Sequence, residues 1–381
     1  MDFTINQDQQ QLADALRRWL DKEYSFEQRR AIIHTGSGIS QQAWAGLVEL
    51  GLTALPLPGE AGGFDGTAAD MLPVMQELGR ALLVEPYFAT IWGARLLALG
   101  GAHQAQLQQV ADGSLRLACA LGERQARHDL HDIATTAVAS GEGFVLDGEK
   151  TVVLHGAQAG SLIVSARSSG NQLDLDGVSL FLVPADAPGV MLRDCRTIDG
   201  QRAATVTLVQ VVLGSEALIG TVGKGWELLD AALDYGAALL CAEAVGAMDA
   251  LLAATLEYLK TRQQFGAPIG KFQALQHRMA DMFIHLEQAR SMAMLAAGKA
   301  DSTDVAERRR AVSAAKVRVS QAATFVGQQA VQLHGGMGVT DELPAAHYFK
   351  RLSMIALTLG DAQHHLERFI AQPGFLPVQG A

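Results

Sequence analysis

Glu243 lies in YGAALLCAEAVG, Tyr235–Gly246, where its near neighbours are Ala, Leu, Val, Cys and Gly. Burying an isolated carboxylate is expensive, so such a residue implies a partner, a raised proton affinity or a task. An apolar wall suits a general base that must take a carbon-bound proton near neutral pH. The other reading is a structural Glu held by an Arg or a backbone donor. Further on, RQQFGAPIGKFQALQHRMADM carries Arg262, Phe265 and, past a Gly/Pro turn, Gln273. A guanidinium offers the planar fork of donors that matches a pyrophosphate, and it serves equally to cap a helix C-terminus. In VQLHGGMGVTDELP, Gln332 is followed by Gly335, Gly336 and Gly338. Glycines let a backbone approach a ligand closely, and a Gly-rich turn can present amides to a phosphate, although helix–helix turns use Gly as well.

These residues need elements to hold them. The first third reads helical: NQDQQQLADALRRWLDKEY places Leu12, Leu16, Trp19 and Leu20 on one face, and QQAWAGLVELGL ends at Gly51, a helix-stop signal. PLPGEAGGFDG is a Gly/Pro loop, and MLPVMQELGRAL resumes a helix. The character changes near residue 115. FVLDGEKTVVLHG, SLIVSAR, VSLFLVPAD and AATVTLVQVVL are short, rich in β-branched residues and separated by Gly, Asp and Ser, as strands of a mostly antiparallel unit would be. Three long Ala/Leu-rich helical stretches follow, over roughly 224–263, 270–299 and 304–333, joined by short connections as in a bundle. The expected fold is α+β, with an N-terminal helical domain (1–115), a middle β-domain (116–222), a C-terminal helical bundle (223–372) and a loosely ordered tail (373–381).

Bulk composition narrows the function. With 49% hydrophobic and 18% charged residues, the 381-residue chain can bury a sizeable core and does not read as disordered. A net charge of -10 argues against nucleic acid or an anionic membrane as partner. Cys119, Cys195 and Cys241 are far apart and lack metal-ligand spacing, so no disulfide framework and no zinc site is expected. The opening MDFTINQDQQ is polar, unlike a secretory leader, and no uninterrupted apolar run looks long enough to span a bilayer. The expected location is the cytoplasm.

Taken together, RQQFGAPIGKFQALQHRMADM and QLHGGMGVTDELP, supported by GLTALPLPGEAGGFDG and GEKTVVLHG, resemble the acyl-CoA dehydrogenase family over essentially the whole chain. LCAEAVGAMDALLAATLEYLKTR and HYFKRLSMIALTLGDAQHHLERF are similar to its pimeloyl-CoA dehydrogenase small-subunit branch. The resemblance implies FAD bound partly across a subunit interface. Arg262 and Phe265 would contact FAD from a neighbouring subunit, Gln273 would start the next helix beside it, and Gln332, Gly335, Gly336 and Gly338 would lie along its diphosphate. It implies a dimer or tetramer, an acyl-CoA substrate and an electron-transfer flavoprotein as electron acceptor. The implied reaction removes an α-proton with a base and passes a β-hydride to flavin N5, which yields a 2-enoyl-CoA.

The chain departs from the family at the base. Counting forward from Pro344 puts the usual Glu position at Leu359, and counting back from Arg368 puts it at Asp361. The position used by the isovaleryl-type branch falls on Gly236. Glu243 lies seven residues further, on nearly the same helix face and about 10 Å along the axis, so it is the expected general base. Gly236 and Gly360 would leave room for a bulky acyl group: a dicarboxylic, aromatic, branched or polycyclic acid. The flavin-facing segments differ as well. LGERQARHD has Arg127 and His128 where the family has Gly and Ser, and GEKTVVLHG has Val152 and Leu154 in place of Trp and Thr. These changes favour a pairing with a related subunit. The leading reading is thus an FAD-dependent acyl-CoA dehydrogenase subunit. The alternatives are a non-catalytic partner subunit and a flavin oxidase on the same fold.

Overall fold

Asn6 accepts a hydrogen bond from the Gln9 amide while the Gln9 side chain accepts one from the Asn6 amide. This reciprocal cap satisfies free amides at a helix start. Helix α1 (Gln7–Glu23) then buries Ala13, Leu16 and Leu20 along one face. It is followed by α2 (Phe26–Ile33), α3 (Gln41–Glu49), α4 (Ala68–Ala81), α5 (Tyr87–Gly100) and α6 (Gln104–Ala111). Gly51, just beyond α3, takes φ of 73°, which suits glycine at a helix end. The structure, a computed structural model, describes residues 6–373. Apart from Pro373, the expected tail lies outside the described residues.

The chain divides into two units. One gathers the residues up to Arg29, Thr67–Leu83 and those from Asp234 on; the other comprises Arg30–Gly66 and Val84–Leu233. The second unit holds the sheet. Its strands are β1 (Leu117–Ala120), β2 (Thr136–Ser140), β3 (Gly143–Leu154), β4 (Ser161–Arg167), β5 (Val178–Pro184), β6 (Val190–Arg196), β7 (Arg202–Leu213) and β8 (Leu218–Ile219). They run in the order β6-β7-β3-β2-β4-β5-β8, with β1 beside β4. Only the β1–β4 and β2–β4 pairings are parallel. Leu162, Val164, Phe181, Val206 and Leu208 form the core of the sheet, and the Phe144 ring meets Phe181 edge-on at 5.0 Å. The register of β3 against β7 shifts between Leu146 and Gly148 and again between Lys150 and Val153. Val152, in the second shift, has φ of 53°, a strained setting for a β-branched side chain.

The first unit is helical. Helix α7 (Gly225–Thr261) supplies it from Asp234 onward and runs 37 residues. Its most apolar stretch is long and apolar enough to cross a membrane, which corrects the expectation that no such run exists; 72% of that stretch is buried inside the protein. The helix crosses α4 at two glycines. A Cβ at Gly79 would run into the Glu243 carbonyl, and one at Gly246 would run into the Gln76 carbonyl. Backbone therefore packs directly on backbone. A hairpin of β9 (Gln263–Gln264) and β10 (Ala267–Pro268) leads into α8 (Gln273–Lys299), α9 (Val305–His334), α10 (Pro344–Leu357) and α11 (Ala362–Ile370).

Candidate functional site

The helical unit carries Glu243 and the expected cofactor residues Arg262, Phe265, Gln273, Gln332, Gly335, Gly336 and Gly338. Arg262 ends α7: its amide donates to the Tyr258 carbonyl at 2.9 Å, and its own carbonyl accepts from Ile269, which closes the hairpin. Phe265 and Gly266 form the hairpin tip with φ of 54° and 77°. Glycine takes that conformation freely, whereas for a phenylalanine it is strained. The Phe265 side chain is 91% exposed. It meets the Phe272 ring edge-on at 6.0 Å. Arg262 and Gln273 are exposed as well. The Arg262 guanidinium has no hydrogen-bond or ion-pair partner among the described residues, so it does not cap its own helix. An aromatic ring, a cation and an amide thus all face outward.

Gln332, Gly335 and Gly336 lie together at the end of α9. With Gln328, Val331, Val339 and Phe349 they line a cavity of about 480 Å3. Gly335 has φ of 59°, and a Cβ built at Gly335 or Gly336 meets nothing. Bare backbone therefore fronts open space, as a phosphate cradle requires. Gly338 differs. It is buried, and a Cβ there would run into the Val331 carbonyl, so glycine at this position lets the turn pack onto α9. At the head of the cradle, His334 stacks on Tyr258 at 4.5 Å, and the Tyr258 hydroxyl donates to the His334 carbonyl. That contact sets the end of α7 beside the end of α9. The glycines and Gln332 are legible in the sequence; Phe349 is not, because it reaches the cavity only through the packing of α10.

Glu243 is 4% exposed, but it is not the isolated carboxylate of the sequence reading. Arg351, on α10, donates to it bidentately, Nε to Oε1 at 2.6 Å and Nη2 to Oε2 at 2.8 Å. Both side chains are buried. The environment is therefore a closed ion pair, the structural alternative, and the expectation of a free base in an apolar wall is corrected on that point.

At the other positions considered for the base, Leu359 and Asp361, the structure shows a turn and a helix cap. Leu359 and Gly360 turn the chain between α10 and α11 with φ of 57° and 104°. The Lys316 ammonium donates to the carbonyls of Ile355 at 2.6 Å and Gly360 at 3.1 Å, and His365 Nε2 donates to the Leu359 carbonyl at 2.8 Å. Burial lowers Lys316 to about 8. Burial, with Lys316 nearby, pushes His365 down to about 2. A Cβ at Gly360 would strike the His364 and His365 rings, so this glycine serves the turn and leaves no room for substrate. The Asp361 carboxylate caps α11 by accepting from the His364 amide at 2.9 Å.

The segment Leu121–Thr135, in the sheet unit, is pinned from within. Lys150 donates to Glu123 at 2.7 Å and to Ser165 at 3.0 Å, and Glu123 also accepts from the amides of Ala134 and Thr135. Burial lowers Lys150 to about 8. Burial works to raise Glu123, but the Lys150 charge and the hydrogen bonds outweigh it and hold the carboxyl at about 2. Among the described residues no cluster of three or more His, Cys, Asp or Glu could hold a metal.

Comparison with known proteins accords with this arrangement. The N-terminal, middle and C-terminal domains described for acyl-CoA dehydrogenase match residues 6–113, 118–211 and 223–372. FadE12, an acyl-CoA dehydrogenase of Mycobacterium tuberculosis, is 31% identical over 354 residues, which cover 90% of each chain. The human mitochondrial short-chain specific acyl-CoA dehydrogenase is 30% identical over 79% of this chain and 74% of its own. Among solved structures, a variant of the Tcur3481-Tcur3483 steroid ACAD superposes with a TM-score of 0.87 at 32% identity, covering 96% of this chain and 97% of that one. The ChsE4-ChsE5 complex from Mycobacterium tuberculosis gives 0.85 at 25% identity, covering 97% of both. The chain belongs to the acyl-CoA dehydrogenase family. It is accordingly an FAD-binding flavoprotein of the oxidoreductase class, and oligomers are typical of its relatives. The open glycine cradle, with the unpaired Arg262 on the adjoining hairpin, fits a diphosphate-bearing cofactor.

Proposed function

We propose that this chain is one subunit of an acyl-CoA dehydrogenase assembled with a related chain, and that the assembly converts an acyl-CoA to its 2-enoyl-CoA. The observation that carries this reading is the outward presentation of the cofactor residues: Phe265 at 91% exposure, an unpaired Arg262 and a cradle open at Gly335 and Gly336. Residues so placed serve a cofactor shared with another chain. FAD, when bound, supplies the acceptor for the hydride leaving the β-carbon. In this reading Gln332 and the amides of Gly335 and Gly336 hold its diphosphate, Arg262 balances the phosphate charge, and Phe265 covers an apolar part of the molecule. Two of the similar solved structures carry two-protein names, which favours a related chain over a second copy.

Glu243 in this reading is a positioning residue that ties α10 to α7 through Arg351. The α-proton is taken by a carboxylate of the related chain, because Gly236 and Leu359 carry no carboxylate and that of Asp361 is engaged in capping α11. The test is an absorption spectrum of this chain purified alone, and again after co-expression with a related chain, once free FAD has been removed. The expected result is flavin absorbance only in the pair. Stoichiometric flavin on the chain alone would refute the shared site.

A further inference from the structure

The glycine cradle is anchored at both ends by a buried histidine. At its head His334 stacks on Tyr258. At its tail stands His347 of α10, 3% exposed. Arg29, from α2, lies 1% exposed beside it. Its Nη1 approaches His347 Nδ1 at 3.1 Å while its Nε donates to the Leu82 carbonyl at 2.7 Å. On the other side of the ring, His347 Nε2 lies 3.1 Å from the Asp341 carbonyl and 3.3 Å from its Oδ1. Phe26 packs edge-on against the imidazole at 5.0 Å.

Donor chemistry assigns the tautomer. An arginine only donates, so Nδ1 must accept and Nε2 must carry the hydrogen given to Asp341. Asp341 follows the cradle by two residues, since the glycine turn ends at Val339. The neutral ring is thus the link between a fixed guanidinium and the tail of the cradle. We infer that His347 is a positioning residue for the FAD diphosphate cradle, and that its protonation releases the cradle. The inference rests on reading the cradle as a flavin site.

A proton on Nδ1 would set donor against donor and cation against cation at Arg29. The groups facing the ring are Arg29, Asp341 and, from its own helix, Lys350. Burial is the largest influence and lowers the affinity of His347 for a proton; the Asp341 carbonyl and carboxylate raise it, and Arg29 and Lys350 lower it. The net direction is down from 6.5. A histidine depressed on folding contributes stability that is fully present above its unfolded pKa, about 6.5. That contribution is lost as pH falls through the window between 6.5 and the folded value.

The test compares wild type with His347→Gln and His347→Leu. Glutamine can accept from Arg29 and donate to Asp341 without titrating. The first readout is amide exchange across residues 335–341 at pH 7.5 and 5.5, corrected for intrinsic rates. The second is FAD retention by the assembled protein at the same two pH values. In wild type the lower pH should speed exchange and weaken FAD retention by roughly tenfold. His347→Gln should hold FAD at both pH values, and His347→Leu should exchange fast at both. If His347→Leu fails to fold, the comparison of His347→Gln with wild type decides. A pH response in His347→Gln equal to that of wild type would overturn the inference. Exchange that follows the expected pattern while no variant retains FAD at either pH would instead overturn the cofactor reading.

Discussion

The Glu243–Arg351 pair separates a structural role from a chemical one. The two side chains are only 6% and 8% exposed, so the pair belongs with buried ion pairs and not with weak surface ones. Removing one partner leaves the other charge buried and uncompensated, at a cost of about 3–5 kcal/mol. Removing both and filling the space with apolar atoms is typically neutral or mildly stabilising. Glu243→Gln keeps the shape and withdraws the charge, and should therefore cost about 3 kcal/mol. At roughly 2–4 °C per kcal/mol, the thermal midpoint should drop by about 6–12 °C. Glu243→Met combined with Arg351→Met should return to within about 1 kcal/mol of wild type, although two separate losses of about 3 kcal/mol would add to about 6, a coupling of about 5 kcal/mol. The assays are thermal and urea unfolding of all the variants at one protein concentration, with turnover of the assembled enzyme measured in parallel. In the double variant, activity should recover along with stability. If Glu243→Gln keeps its midpoint but turnover disappears, and the double variant stays inactive while fully folded, the structural reading is refuted and Glu243 is the base.

Gly336→Ala and Gly338→Ala should part company despite the shared residue type. The first should fold within about 0.5 kcal/mol of wild type and lose FAD retention, and the second should be destabilised by about 1–3 kcal/mol, because its Cβ meets the Val331 carbonyl; chemical denaturation and flavin absorbance read both. Phe265→Gly relieves a left-handed phenylalanine worth about 1 kcal/mol, so the chain should be at least as stable by thermal unfolding while FAD retention in the assembly falls. Glu123 is held near 2, below its ordinary 4.5, so its stabilising contribution is complete above pH 4.5 and fades as pH falls toward 2; Glu123→Gln should flatten that acid limb in a pH series of urea midpoints.

Much of the fold can be read from local pattern. Helices α7, α8 and α9 sit close to the expected 224–263, 270–299 and 304–333, because long Ala/Leu runs between Gly, Pro and Asp leave little choice. Strands β3, β4, β5 and β7 are marked by longer runs rich in β-branched residues, whereas β2 has four of its five residues exposed and β6 is likewise mostly exposed, with apolar runs of only three residues each. The site divides along the same line. Gln332, Gly335 and Gly336 announce themselves by type and spacing. The partner of Glu243 does not, since Arg351 lies 108 residues away and reaches it only through α10 packing. Sequence could not distinguish the exposed Gly336 from the buried Gly338 either, because the difference lies in what surrounds each Cβ position. For the same reason it assigned Gly360 to the substrate when the turn needs it.

The helical unit is assembled from three separated stretches of chain, and this shapes how the protein comes into being. Synthesis delivers α1 and α4 first, with their apolar faces uncovered. The Glu243 backbone that Gly79 must meet emerges only after the whole sheet unit, roughly ten to thirty seconds later at ordinary ribosomal rates. During that wait the sheet unit, with its own core, can close while the early helices stay unsatisfied. A fragment cut at the start of α7 would inherit the mirror problem: a bundle whose glycine groove has lost the helix that fills it. The nascent chain therefore has a built-in interval in which the apolar faces of its early helices wait for their later partners.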